Sequence, residues 1–150
     1  GDPLYLWHWY VTDVIGAQFM GHPMHPQFQT ATIRIEDPTH PAMRGLGKTW
    51  VRSDEWYAFQ FSPRARVHVL ASLDERTYSQ VGILHDDLRM GDHPIVWEHC
   101  LGKGRVFYSA LGHAAETYKE PRHLQMLTGA ISWAMGLEGP RCGVQRPRGK

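Results

Sequence analysis

Cysteine is scarce in this sequence: Cys100 and Cys142 stand far apart, and neither belongs to a C-x-x-C pair. That excludes a disulfide-dense small scaffold and a cysteine-built zinc module, and two isolated thiols suit a reducing, cytoplasmic setting. Long apolar runs are also missing. Nothing approaches the ~18 residues of a membrane-spanning helix, and no charged-then-apolar leader opens the chain, so no membrane partner is expected. An excess of one charge is absent too, since 16 Lys and Arg face 15 Asp and Glu for a formal net charge of +1. A nucleic-acid footprint needs a basic face. The basic clustering here is confined to Arg141, Arg146, Arg148 and Lys150, among prolines and glycines, so residues 139–150 read as a flexible basic tail and no nucleic-acid partner is expected. Internal repeats and low-complexity stretches are likewise lacking.

What remains is an ordinary globular composition: 150 residues, 42% hydrophobic and 21% charged, enough for one domain with one core. Ten histidines, six tryptophans and six tyrosines suit a polar, concave site with aromatic walls, and aromatics are equally good core material.

The most informative stretch runs from Gly102 to Gly136. Arg105 to Ala110 is apolar at nearly every position, the pattern of a strand buried on both faces. Gly112 and His113 follow at its carboxyl end. Pro121 then opens a helical run in which Leu124, Leu127, Ile131 and Ala134 or Met135 recur on one face before Gly136 stops it. His113 therefore stands where a strand hands over to a helix, and in open α/β sheets that crevice is where ligands bind.

Earlier in the chain, Leu6 to Ile15 has helical spacing with Gly16 at its end, and the Pro- and Gly-broken segment 19–26 reads as a loop holding His22 and His25. Gln29 to Glu36 alternates as a half-exposed strand. Trp50 to Ser53 is a short extended piece leading into Asp54-Glu55-Trp56-Tyr57. Arg66 to Leu73 is a near-continuous apolar strand, and Tyr78 to Arg89 is a polar surface excursion. Pro94 to His99 and Arg105 to Ala110, joined through Cys100-Leu101-Gly102-Lys103-Gly104, make a β-hairpin. Lys103 between glycines is no phosphate cradle, because that chemistry needs the glycines to open a helix.

Glu36-Asp37-Pro38-x-His40-Pro41, Asp54-Glu55-Trp56-Tyr57, His93-Pro94-Ile95, Gly102-x-Gly104-Arg105-x-Phe107-Tyr108 and Leu111-Gly112-His113, with Trp133-Ala134 near the end, resemble the trehalose-utilisation (ThuA-like) family, from about Trp7 to Gly136. The resemblance implies an α/β, flavodoxin-like sandwich related to class I glutamine amidotransferases. Residues 1–138 would form its C-terminal portion, incomplete at the N-terminus, with a β-hairpin and a closing helix. It also implies a role in carbohydrate utilisation, on trehalose, another disaccharide or a keto-sugar. No G-x-C-x-G elbow is present, so glutamine hydrolysis is not implied.

For proton transfer, histidine titrates nearest to neutrality, and His113 leads by position. Asp54 and Glu55 are the carboxylates expected to share its pocket, although neighbours on a strand point to opposite faces, so at most one of them faces a given pocket unless the backbone turns. These three are the catalytic candidates. His22, Trp56 and Tyr57 are the substrate-binding candidates, the two aromatics as platforms for a sugar face. His22, His113 and one of Asp54 or Glu55 would make a zinc-like ligand set, but no consecutive motif enforces it, so metal and cofactor are left open. The expected partner is a small-molecule sugar. A parallel sheet lacking its front half would leave an edge bare, so a homo-oligomer is also expected. The reading from another class is a non-catalytic sugar-binding or regulatory domain.

Overall fold

The structure is a computed structural model that describes residues 7–142. It begins with a π-helix, Tyr10–Ile15, closed by Gly16 at φ 90°, where the sequence places a helix end; the expected start at Leu6 lies outside the described residues. Strands follow as β1 (Phe19–Gly21), β2 (Phe28–Ile35), β3 (Thr49–Glu55), β4 (Ala58–Phe59), β5 (His68–Leu73), β6 (Pro94–Leu101) and β7 (Gly104–Ser109). A 3-10 turn, Ala115–Lys119, leads to the helix α1, Pro121–Ala134. The main sheet has the order β3-β2-β5-β6-β7, and β1 pairs with β4 in a small second sheet.

Every pairing between these strands is antiparallel. The described chain is therefore a mixed α/β unit built on an antiparallel sheet, and the parallel arrangement expected from the sequence is corrected. A continuous apolar run reports burial on two faces, which a central antiparallel strand also satisfies. β5 and β6 hold those central places: Val69 to Leu73 and Pro94 to Glu98 are all buried. β7, read as a doubly covered strand, is instead a sheet edge with half-buried side chains. The hairpin is as expected, with Leu101 paired to Gly104 across a two-residue turn that begins at Gly102, φ 60°.

On β6 and β7, Trp97 pairs with Tyr108 and Glu98 with Phe107, so the two pairs face opposite sides of the sheet. On one side Trp97 stacks on Tyr108, meets Phe59 edge-on and donates its indole N–H to the Ile15 carbonyl at 2.8 Å. On the other, His40 lies between Phe107 and Trp133 of α1.

The buried face of α1 is corrected. His123, Met126, Ala130 and Trp133 point inward, whereas Leu124 and Ile131 are 45% and 59% exposed, and Leu127 is only partly buried. Two apolar stripes at helical spacing share this helix, and Gly129 sits on the buried side. A β-carbon there would lie 2.2 Å from the Pro41 carbonyl oxygen, so the missing side chain is what lets the helix backbone approach the turn before Ala42.

The cysteines are also corrected. Cys100, at the end of β6, and Cys142 form a disulfide. With Arg105 donating to the Glu138 carbonyl at 2.8 Å, it ties the described part of the expected flexible tail back onto the hairpin. Arg146, Arg148 and Lys150 of that tail lie outside the described residues.

Candidate functional site

β3 is an edge strand, and its last two residues end beside the loop that leaves β7. Asp54 lies on the same face as Arg52, two residues earlier, and both are buried. Arg52 Nη2 is 3.1 Å from Asp54 Oδ2. The guanidinium also donates to Thr117 Oγ1 at 2.9 Å and to His123 Nδ1 at 3.2 Å, and it lies over the Trp50 ring. One cation thus joins β3 to the 3-10 turn and to α1.

The Asp54 carboxylate faces the β7 exit. Its Oδ2 accepts the Gly112 N–H at 2.9 Å and its Oδ1 the His113 N–H at 3.2 Å. Gly112 has φ 106°, and a side chain there would meet the Tyr118 hydroxyl at 3.0 Å, so glycine is what allows the chain to turn across the strand end. Asp54 therefore grips the backbone of the His113 loop.

Glu55 projects to the other side and meets the imidazole. Glu55 Oε1 is 3.2 Å from His113 Nδ1, and Oε2 is 3.7 Å from His22 Nδ1 and accepts from Gln27 Nε2. The Glu55 side chain is 2% exposed and that of His113 is 42% exposed, so a buried acid backs a histidine that faces solvent. The Tyr57 hydroxyl lies 3.4 Å from His113 Nδ1. Burial, and then the negative charge of Glu55, hold its phenol above the ordinary range. His22 Nδ1 is also 3.1 Å from the Pro23 carbonyl. Phe28, paired with Glu55 across β2 and β3, meets the His113 ring edge-on at 5.4 Å, and Phe19 meets Tyr57 at 5.0 Å.

Of the residues singled out in the sequence, His113, Glu55, His22 and Tyr57 come together around one carboxylate. Asp54 is adjacent, but its oxygens are taken by backbone N–H groups and Arg52. Trp56 is not at the surface: it is 1% exposed and donates its indole N–H to the Gln29 carbonyl at 2.8 Å, so the platform role expected of it is corrected to one in the core. His25 stacks on His85, away from these groups. Among the described residues no three His, Cys, Asp or Glu side chains are grouped to hold a metal ion. Sequence reading missed Gln27, Phe28 and Arg52. Only Arg52 had a local signal, its two-residue spacing from Asp54 on an extended segment.

The profile of the family described as ThuA, trehalose utilisation, matches residues 2–134. A solved ThuA-like protein from Bacteroides uniformis is 29% identical, with a TM-score of 0.70 over 89% of this chain and 54% of its own. Another from Parabacteroides merdae, 20% identical with a TM-score of 0.53, covers 87% of this chain and 44% of its own and shows the fold alone. The chain thus spans about half the length of these relatives. No functionally curated protein matches it.

Proposed function

The chain belongs to the ThuA, trehalose-utilisation family, and from that premise we propose that it takes part in carbohydrate utilisation through proton transfer by His113, backed by Glu55, on a disaccharide or keto-sugar. The observation that carries this is the 3.2 Å contact between His113 Nδ1 and the buried Glu55 carboxylate. A carboxylate there accepts the Nδ1–H, which fixes the tautomer and leaves the Nε2 lone pair as the base. When Nε2 takes a proton from a substrate hydroxyl or from carbon next to a carbonyl, the imidazolium is stabilised by Glu55 and the proton can be returned.

In this reading Asp54 is a positioning residue rather than a catalytic one, because it holds the His113 backbone. His22, Tyr57 and Gln27 offer hydrogen bonds to hydroxyls. Phe28 and Phe19 replace Trp56 as surfaces for a sugar face. No helix of the described residues is long and apolar enough to cross a membrane. The Cys100–Cys142 disulfide favours an oxidising compartment over the cytoplasm that two separate thiols suggested.

The test is turnover of oxidised and unoxidised disaccharides and keto-sugars, measured on the full chain and on His113→Ala and Glu55→Gln. Loss of turnover in both, with sugar binding retained in His113→Ala, supports proton transfer. Binding without turnover in the wild type, unaltered by either change, makes the chain a sugar-binding domain.

A further inference from the structure

A cavity of about 340 Å³ is lined at one end by two residues that contact Glu55, although neither Glu55 nor His113 lines it. His22 and Gln27, which both contact Glu55 Oε2, form the end of the cavity nearest the acid. Its other walls are mostly apolar, formed by Phe19, Met20, Met24, Ile83 and Leu88, with Asp86 the charged side chain among them. Two backbone segments enclose it. One is the β1 strand and the loop after it. The other is the turn that follows Gln80, closed by the Gly82 N–H to the Asp86 carbonyl at 2.9 Å and by a bridge between Val81 and Asp87. The Met24 N–H donates to the Val81 carbonyl at 3.2 Å, which joins the segments and sets the cavity against the His22 end.

The polar and apolar halves of this concavity ask for a ligand with the same division. A sugar lodged wholly in the apolar part would leave its hydroxyls without partners, whereas an apolar group there meets apolar walls. The volume is at the small end of ligand pockets, and a cavity of about 150 Å³ already admits a benzene ring. Ile83, 65% exposed, and Phe19, 39% exposed, stand at the rim where such a group would cover them. Resting on the proposed reading of the His113–Glu55 site, we infer that the substrate is a sugar or keto-sugar carrying an aryl group, with the sugar beside His113, His22 and Gln27 and the aryl group between Met24, Ile83 and Leu88.

Calorimetric titration of the full chain with methyl and 4-nitrophenyl glycosides of glucose, galactose and mannose tests this. The aryl member of a pair should bind on the order of tenfold tighter than the methyl member. Ile83→Asp, at an exposed position that cannot disrupt the core, should bring the two within about threefold by placing a charge on the apolar wall. Glu55→Gln should weaken both members of the pair together. Equal wild-type affinities, or an aryl preference that survives Ile83→Asp, overturn the apolar subsite and leave the His113–Glu55 reading standing. Binding of either class that ignores Glu55→Gln overturns that reading itself, whereas failure of all six glycosides to bind overturns the aryl subsite.

Discussion

The Asp54 carboxylate accepts the backbone N–H of His113 at 3.2 Å, while the next residue, Glu55, meets the imidazole of the same histidine at 3.2 Å. Two adjacent acids thus hold one residue from two sides, one by its main chain and one by its side chain, because the loop after β7 crosses the end of the strand that carries them. Under the proposed function, this division gives stability to one carboxylate and chemistry to the other.

Asp54→Ala should be strongly destabilising. It leaves the buried Arg52 guanidinium without its nearest carboxylate and removes the acceptor of three backbone N–H groups, those of Glu55, Gly112 and His113, a loss of about 3–5 kcal/mol. Glu55→Gln keeps a polar group of the same shape and should cost no more than about 1.5 kcal/mol. Urea unfolding of the two variants should show this order, and equal losses would contradict the division of labour.

The face of α1 can be checked by truncation. Met126 is fully buried, so Met126→Ala should cost about 2–5 kcal/mol. Ile131 is 59% exposed, so Ile131→Ala should stay within about 0.5 kcal/mol. The reverse order in denaturant titrations would mean that the other apolar stripe packs inward.

Gly129→Ala should destabilise, although alanine is the better helix former by about 1 kcal/mol. The new β-carbon would lie 2.2 Å from the Pro41 carbonyl oxygen and 2.7 Å from the Ala42 nitrogen, and backbone cannot swing aside as a side chain can. A raised melting temperature for this variant would show that the helix does not approach the turn so closely.

Stability should fall as pH drops through the histidine range. His40 and His123 are buried, and burial holds both below the ordinary value of 6.5; the Arg52 charge adds to this at His123. The unfolded chain therefore takes up protons that the folded one refuses, so stability is complete above about pH 6.5 and is lost below it, toward the lowered folded values. Urea titrations between about pH 7 and 5 should show the loss, and His40→Gln with His123→Gln should flatten it. Imidazole NMR signals of both residues should remain neutral below 6.5; titration at that value would contradict the sign.

Reduction should also cost stability. The Cys100–Cys142 bond closes a separation of 42 residues that contains β7, the His113 loop and α1. Opening it should lower unfolding free energy by about 2–4 kcal/mol. Dithiothreitol should lower the melting temperature of the wild type and leave that of Cys142→Ser unchanged.

Local chemistry by itself determined a good deal of this protein. Val69 to Leu73 had to be a covered strand, Gly102 had to turn a hairpin, and Pro121 and Gly136 had to bracket a helix. His113 had to stand at the junction between strand and helix, with Glu55, His22 and Tyr57 as its legible companions. The reason is that side-chain periodicity, proline and glycine act within a few residues and leave their mark on the chain. Tertiary structure decided what periodicity leaves undetermined. A continuous apolar run is the same in a parallel and an antiparallel strand, so only pairing settled the direction of β5, β6 and β7. Two apolar stripes on α1 were equivalent until Gly129 met Pro41. Trp56 and Tyr57 differ little as sequence neighbours, yet strand geometry buried one and left the other beside His113. Asp54 and Glu55 were interchangeable acids until Arg52 and the backbone of residues 112–113 claimed the first, and the pairing of Cys100 with Cys142 depended on where the chain returned after its helix.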